Sequence, residues 1–151
     1  MNLFEFNVRL QWFDLLAETR SAMEAASEDA ARLNQSQLRD GKLSTGEQLK
    51  NLKRNDYDYS FAWAVRRINE GLQVDHFDLA FTGNYYSNIT VDVNSDSFRM
   101  IDTDPDKKKV QNIETLFGPY VLGLNSTNTG TWATRYVRPK LEDAITAKLL
   151  L

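Results

Sequence analysis

Cysteine is absent from this 151-residue chain, and its absence excludes several kinds of site. Disulfide bonds, thiolate nucleophiles and the common cysteine-ligated zinc sites all require this residue. A chain without cysteine is typical of a protein that is made and kept in a reducing cytosol.

Histidine occurs once, at His76, so a Ser-His-Asp triad or a histidine-ligated metal would depend on that residue alone. The surrounding stretch, Val74-Asp75-His76-Phe77-Asp78, matches no catalytic motif, and we expect a partly exposed structural histidine. Glycine-rich phosphate loops are also missing, because no Lys-Ser or Lys-Thr pair follows Gly118 or Gly123. We therefore predict no enzymatic activity, no cofactor and no small-molecule ligand; an enzyme that uses paired carboxylates is a third alternative.

A calcium loop is excluded by two positions after the acidic triplet Asp102-x-Asp104-x-Asp106. Lys107 stands where the loop requires glycine, and Ile113 stands where it requires a bidentate glutamate. Helix capping explains the same acids, so we predict no metal site.

Long apolar runs are missing as well, since no stretch approaches the ~20 residues that span a bilayer. The apolar N-terminus is interrupted by Glu5, Arg9 and Asp14, which is unlike a signal peptide. We expect no membrane partner.

Charge and composition are those of an ordinary globular domain, with 42% apolar residues, 26% charged residues and a net charge of −3. The length favours a single domain over residues 1–151. A nucleic-acid role would need a local basic patch, and the densest basic run, Lys107–Lys109, directly follows three acids.

Helical periodicity dominates the N-terminal part, residues 1–40. Phe6, Leu10 and Phe13 share one face of a helix predicted from Leu3 to Leu16, and a second helix is predicted from Ala25 to Leu38, with Gly41 as its left-handed cap. Continuity between the two helices is left open. Further helices are predicted from Ser60 to Asn69, with Arg66 and Arg67 on the outer face, and from Pro105 to Phe117.

Strand periodicity follows in the C-terminal part, residues 75–151, which we predict to contain the sheet and the C-terminal helices. Alternation from Tyr85 to Val93, a turn at Asn94-Ser95-Asp96 and a return from Ser97 to Ile101 predict an antiparallel hairpin. Residues 122–131 are interpreted as a polar loop. Pro139 either begins the last helix, with its Leu141, Ile145 and Leu149 stripe, or kinks a longer one that begins near Thr131. The predicted fold is α+β: N-terminal helices, a small central antiparallel sheet and a C-terminal helix packed on it.

Two short sequence phrases resemble those of a family of small virion proteins in tailed phages and prophages of Bacteroidetes-type hosts. They are Gln37-Leu38-Arg39-Asp40-Gly41 at a helix end and Leu79-Ala80-Phe81-Thr82-Gly83-Asn84-Tyr85 before the hairpin. More distantly, Thr82-Gly83 with Asn88-Ile89 is similar to the Thr-Gly-x-Leu-x-x-Ser-Ile phrase of phage tail-completion, or head–tail connector, proteins. The resemblance covers about Leu33 to Leu149.

The resemblance implies a structural subunit of the neck or tail, made in the host cytoplasm and found in the virion. Its partners would be copies of itself in a ring, portal or connector proteins, and tail proteins. Thr82 and Gly83 are interpreted as shaping the fold, with Thr82 as a cap and Gly83 at positive φ.

Six apolar or aromatic residues are candidate partner contacts: Phe4, Phe6, Tyr57, Tyr59, Trp132 and Leu150. The alternative function is a phage-encoded cytoplasmic binding module. Such a module could bind nucleic acid through the aromatic and basic residues between Tyr57 and Arg67.

Overall fold

The computed structural model describes residues 2–80, 82–94 and 97–150, and its fold is α+β as predicted. Its elements in chain order are α1 (Leu3–Trp12), α2 (Leu15–Ala25), α3 (Ser27–Arg39), α4 (Phe61–Asn69), α5 (Asn84–Ser87), β1 (Ile89–Val93), β2 (Phe98–Asp102), α6 (Lys107–Phe117), α7 (Ser126–Thr131) and α8 (Arg138–Ile145). Within the described ranges, no helix is both long enough and apolar enough to cross a bilayer.

The first predicted helix is in fact two helices with a break at Phe13 and Asp14. Both residues have extended backbone angles, and the Asp14 side chain accepts a hydrogen bond from the Ala17 backbone N–H at 3.0 Å. An aspartate that caps a new helix satisfies an N–H that would otherwise lack a partner, which favours a restart over continuity. Past this break, α2 reaches Ala25 and α3 begins at Ser27.

The end of α3 is fixed by Gly41, as predicted. Gly41 has φ 68°, and the Lys42 N–H donates to the Gln37 carbonyl at 2.9 Å, which is the Schellman arrangement. A Cβ at this position would lie 2.6 Å from Cδ2 of His76. Glycine is therefore required here for two reasons: the turn needs a positive φ, and residues 76–77 pack too closely to leave room for a Cβ.

The hairpin is confirmed, with Val91 opposite Met100 in an antiparallel register. It is shorter than predicted, because Asn84–Ser87 form a helical turn in place of the first part of the strand. The predicted turn lies partly outside the described residues, at Ser95 and Asp96.

One face of the hairpin is covered by helices. Trp132 is 3% exposed, its ring lies 4.4 Å from that of Phe98, and its indole N–H donates to the Ala26 carbonyl at 2.8 Å. Small side chains in α2, in α3 and at the junction between them let the indole approach the backbone this closely. They are Ala22, Ala26 and Ala30.

The last helical region begins earlier than predicted. Residues 126–131, interpreted as loop, form α7, and the helical path continues through π-helical turns at Trp132–Val137 and Thr146–Leu150 on either side of α8. Asn125 starts it by accepting a hydrogen bond from the Asn128 N–H at 2.9 Å. Pro139 lies within this longer helix, in the first turn of α8.

Buried amides join α3 to the segment before α7. The Asn34 side chain donates to the Gly123 carbonyl at 2.7 Å, and the Gln37 side chain accepts from the Asn125 N–H at 2.8 Å. Both amides are buried. These bonds connect positions almost ninety residues apart along the chain.

Candidate interaction surfaces

Helix α4 buries a charged side chain, Arg67, and exposes apolar ones. Arg67 is 2% exposed; its guanidinium donates to Asp78 Oδ2 at 2.7 Å and to the Gln73 carbonyl at 2.7 Å. The same group lies 4.5 Å from the centre of the Tyr59 ring. The prediction that Arg67 lies on the outer face is therefore wrong.

The buried Asp78 carboxylate is the centre of this cluster, which we call the Arg67 network (Tyr59, Arg67, Gln73 and Asp78). Besides Arg67, it accepts hydrogen bonds from the Tyr59 hydroxyl at 3.0 Å and the Gln73 amide at 2.6 Å. Such dense pairing is what makes a buried charge tolerable. Burial raises the pKa of Tyr59 to about 12, a rise that the backbone hydrogen bond from Asp78 opposes and the charge of Asp78 reinforces.

The opposite side of α4 carries an exposed apolar stripe, the α4 stripe: Phe61, Val65 and Ile68. These residues recur at i, i+4 and i+7, the spacing of a face that packs against another surface. Phe61 is 85% exposed, yet within the described residues no such surface covers it.

Helix α1 also carries an exposed apolar row. Phe6 and Phe13 are half-buried on one side, whereas Phe4, Val8 and Trp12 form an exposed row on the other, with Trp12 84% exposed. None of the residues of α1 is fully buried. We call the row Phe4, Val8 and Trp12 the α1 stripe.

A groove of about 740 Å³ runs beside α4, along the inner side of α6. Its wall is largely aromatic and aliphatic: Tyr59, Trp63, Phe77, Leu79, Tyr85, Ile113, Leu116 and Phe117. Its volume is in the range of binding pockets. The lining also includes Arg54, Lys108, Lys109 and Asp106, and two of these cations are paired: Arg54 with Asp56 and Lys109 with Asp104.

The predicted partner contacts fall into three groups. Phe4, Tyr57 and Leu150 are exposed, while Phe6 and Tyr59 are half-buried. Trp132 is not a surface residue; it belongs to the core, because its indole packs between the hairpin and the alanines in and between α2 and α3. Tyr59 lines the groove and is also held by the Arg67 network.

Thr82 and Gly83 stand where the chain enters α5. Gly83 has φ 77°, and the Thr82 hydroxyl oxygen lies 3.4 Å from the backbone nitrogen of Asn84. Both residues are exposed, and Thr82 also lines the groove.

The residues considered for chemistry have structural partners. His76 Nε2 lies 2.6 Å from the Arg39 carbonyl, at the end of α3. Asp106 caps α6, so this helix begins at Lys107 and not at Pro105 as predicted. Lys109 pairs with Asp104 at 2.6 Å. In the part of the chain that the structure describes, no three acidic or histidine side chains form a metal-binding group.

Sequence reasoning missed the groove and the direction of α4. The stripe itself was visible in the spacing of Phe61, Val65 and Ile68. The burial of Arg67 was not, because its acceptor Asp78 comes from a loop that carries no regular pattern.

Comparisons of the chain with protein-family models, with curated proteins and with solved structures find no match.

Proposed function

We propose that the protein is a structural subunit of the neck or tail of a tailed phage, a head–tail connector or tail-completion subunit. It would act by ring-like assembly between the portal side and the tail, and it would catalyse no reaction. The phage assignment and the ring-like assembly rest on the resemblance of the two sequence phrases, and the exposed apolar side chains support a role in assembly.

The observation that carries the proposal is the distribution of exposed apolar side chains. Among the large apolar residues exposed in the described ranges, eleven lie in just two short segments, 3–16 and 61–68. They are Leu3, Phe4, Val8, Leu10, Trp12, Leu15, Leu16, Phe61, Trp63, Val65 and Ile68. Large clustered apolar patches on a soluble protein mark surfaces that become buried against partners.

The same surface gives less support to the nucleic-acid alternative. Of the two arginines that it would use, only Arg66 is exposed, with its guanidinium 5.2 Å from the centre of the Trp63 ring, while Arg67 is inside the protein. Phosphate binding depends on accessible cations.

The test is mass spectrometry with copy counting on purified particles of the source phage. We expect the chain in virions at a fixed ratio to the portal protein, matching a six- or twelve-fold ring. Its absence from particles, together with abundance in infected-cell lysate, would overturn the proposal and favour the cytoplasmic binding module.

A further inference from the structure

We propose that β2 pairs with β2 of a second copy, so that the two-stranded sheets of two chains join edge to edge in one antiparallel sheet. The two-fold axis of this pair passes through the middle of β2, at Met100. Such pairing goes beyond the proposed function and does not depend on the phage assignment. It follows from the backbone of the hairpin, because the unpaired N–H and C=O groups of a sheet edge are a template for another extended strand.

The hydrogen bonds of the hairpin decide which backbone groups of β2 point outward. At the turn end, the Asn94 N–H donates to the Ser97 carbonyl at 2.8 Å, and a bond at the other end fits the same alternation. Since inward and outward positions alternate in an antiparallel pair, the N–H and C=O groups of Phe98, Met100 and Asp102 point away from β1. In the described part of the chain, these outward groups have no hydrogen-bond partner.

β2 is the open edge of this sheet. β1 lies against α3 and α2, whereas β2 makes no comparable backbone contact with any described element except β1. β2 also has neither a proline nor a bulge, two features by which proteins block an edge strand. Its side chains alternate regularly, because Met100 packs into the core and the side chain of Arg99 is 73% exposed. The strand is therefore regular on one side and unpaired on the other.

A second copy fits this edge because β2 is complementary to itself in one register. A two-fold axis at Met100 aligns all five residues of the strand, with Met100 opposite Met100 and Arg99 opposite Ile101 of the second copy. Moving the axis by one residue in either direction shortens the paired stretch. Moving it to Arg99 also places two arginines directly opposite each other, which is destabilising.

Amide hydrogen exchange, measured residue by residue by NMR, tests the pairing directly. The amides of Arg99 and Ile101 bond to β1 within one chain, so they should exchange slowly at every protein concentration. The amides of Phe98 and Met100 point outward and should exchange fast in dilute solution. As the concentration rises and copies pair, their exchange should slow by about tenfold or more.

Two results of this measurement would contradict the pairing. A Met100 amide that is already protected in dilute solution would mean that the edge is covered within the chain. A dimer in which the Met100 amide stays unprotected would mean that the copies join through another surface.

Opposite charges at Ile101 test the register. Residue 101 would stand opposite Arg99 of the second copy, so Ile101→Glu should attract that arginine and Ile101→Lys should repel it. Each dimer contains this pair twice, and the dissociation constant of the Glu variant should therefore be lower than that of the Lys variant by about tenfold or more. Sedimentation velocity measures both constants, and circular dichroism checks that both variants fold.

Thr90 provides the matched control, since it is exposed and lies opposite Ile101 on β1, one strand away from the edge. Thr90→Glu and Thr90→Lys should dimerise equally well. Equal dissociation constants for the two Ile101 variants would overturn the inference, because a nonspecific apolar contact would respond to either charge in the same way.

Engineered cysteines give a further readout, since the natural chain has none. Arg99→Cys in one copy and Ile101→Cys in another would place the two Cα atoms about 4.5 Å apart, within the range of a disulfide. Oxidation should link these copies, whereas Arg99→Cys with the exposed control Lys140→Cys should stay unlinked. A chain that is monomeric at every concentration would overturn the pairing and leave the proposed function to its own test. A chain that pairs as described but is absent from virions would overturn the proposed function alone.

Discussion

The C-terminal helical region and α4 carry similar apolar stripes and use them in opposite ways. In the C-terminal region, Leu149 is buried, and Leu141 and Ile145 are half-buried. In α4, Phe61, Val65 and Ile68 face solvent, and the helix is held from its other side by Arg67. An amphipathic pattern thus specifies a stripe, but the partners available to the opposite face decide whether that stripe is buried within the chain.

The largest expected effect is in the region that buries its apolar side chains. Trp132→Ala should lower the free energy of unfolding by about 4 kcal/mol, because it leaves a large cavity and removes the hydrogen bond to the Ala26 carbonyl. Urea unfolding at low protein concentration measures it. The exposed Trp12→Ala is the control, with an expected change within about 0.5 kcal/mol; equal losses in the two variants would break the comparison.

Removing the anchor of α4 should come next. Arg67→Ala should cost about 3 kcal/mol of unfolding free energy, because Asp78 stays buried without its cation. The neighbouring Arg66→Ala should cost less than about 1 kcal/mol, the scale of an exposed cation–π contact. Paired urea titrations compare the two, and similar losses would mean that α4 is not held through Arg67.

Removing the Tyr59 hydroxyl should change both the free energy of unfolding at pH 7 and its dependence on pH. Tyr59→Phe should cost about 1.5 kcal/mol at pH 7, since the hydroxyl bonds the Asp78 carboxylate. Burial raises the pKa of Tyr59 from its ordinary value of 10.0 to about 12 in the folded chain, so its contribution is complete below pH 10 and is lost as pH rises towards 12.

Urea unfolding between pH 9 and pH 12 tests this sign. The variant should lose stability less steeply than the unmodified chain above pH 10. Burial also raises the pKa values of Tyr85 and Tyr86, so part of the alkaline loss remains in the variant. A variant that loses stability more steeply would contradict the assignment.

The smallest effect belongs to the α4 stripe. Ile68→Ala should change the unfolding free energy by no more than about 0.5 kcal/mol, because Ile68 is exposed and alanine is the better helix former. Leu149→Ala, the matched change in the buried stripe, should cost about 2 kcal/mol. Thermal unfolding of a dilute sample distinguishes the two, and a large loss at Ile68 would mean that its stripe is covered within the chain.

Local signals predicted much of this fold. Helix periodicity predicted Ser60 to Asn69, the glycine at a helix end predicted the cap at Gly41, and strand alternation predicted the returning strand. Each of these signals depends on neighbouring residues in the sequence. The restart at Asp14 and the helical turn at Asn84 were missed, since each depends on which of two local options the tertiary structure favours.

The candidate surfaces were only partly predictable. The aromatic N-terminus was identified from its composition, and Phe4 is exposed as a partner contact requires. Trp132 was named as a candidate partner contact, but its ring is accommodated by alanines about a hundred residues earlier. Contacts between residues so far apart along the chain produce no periodic pattern in the sequence.

The two amides of α3 bear on the cooperativity of folding. Asn34 and Gln37 bond to Val121, Gly123 and Asn125, almost ninety residues further along the chain. An intermediate that buried α3 before this segment arrived would leave the amides without these partners, at a cost of roughly 1–3 kcal/mol each. The burial of α3 is therefore coupled to the docking of residues 121–125, which favours folding in a single step over a partly folded state.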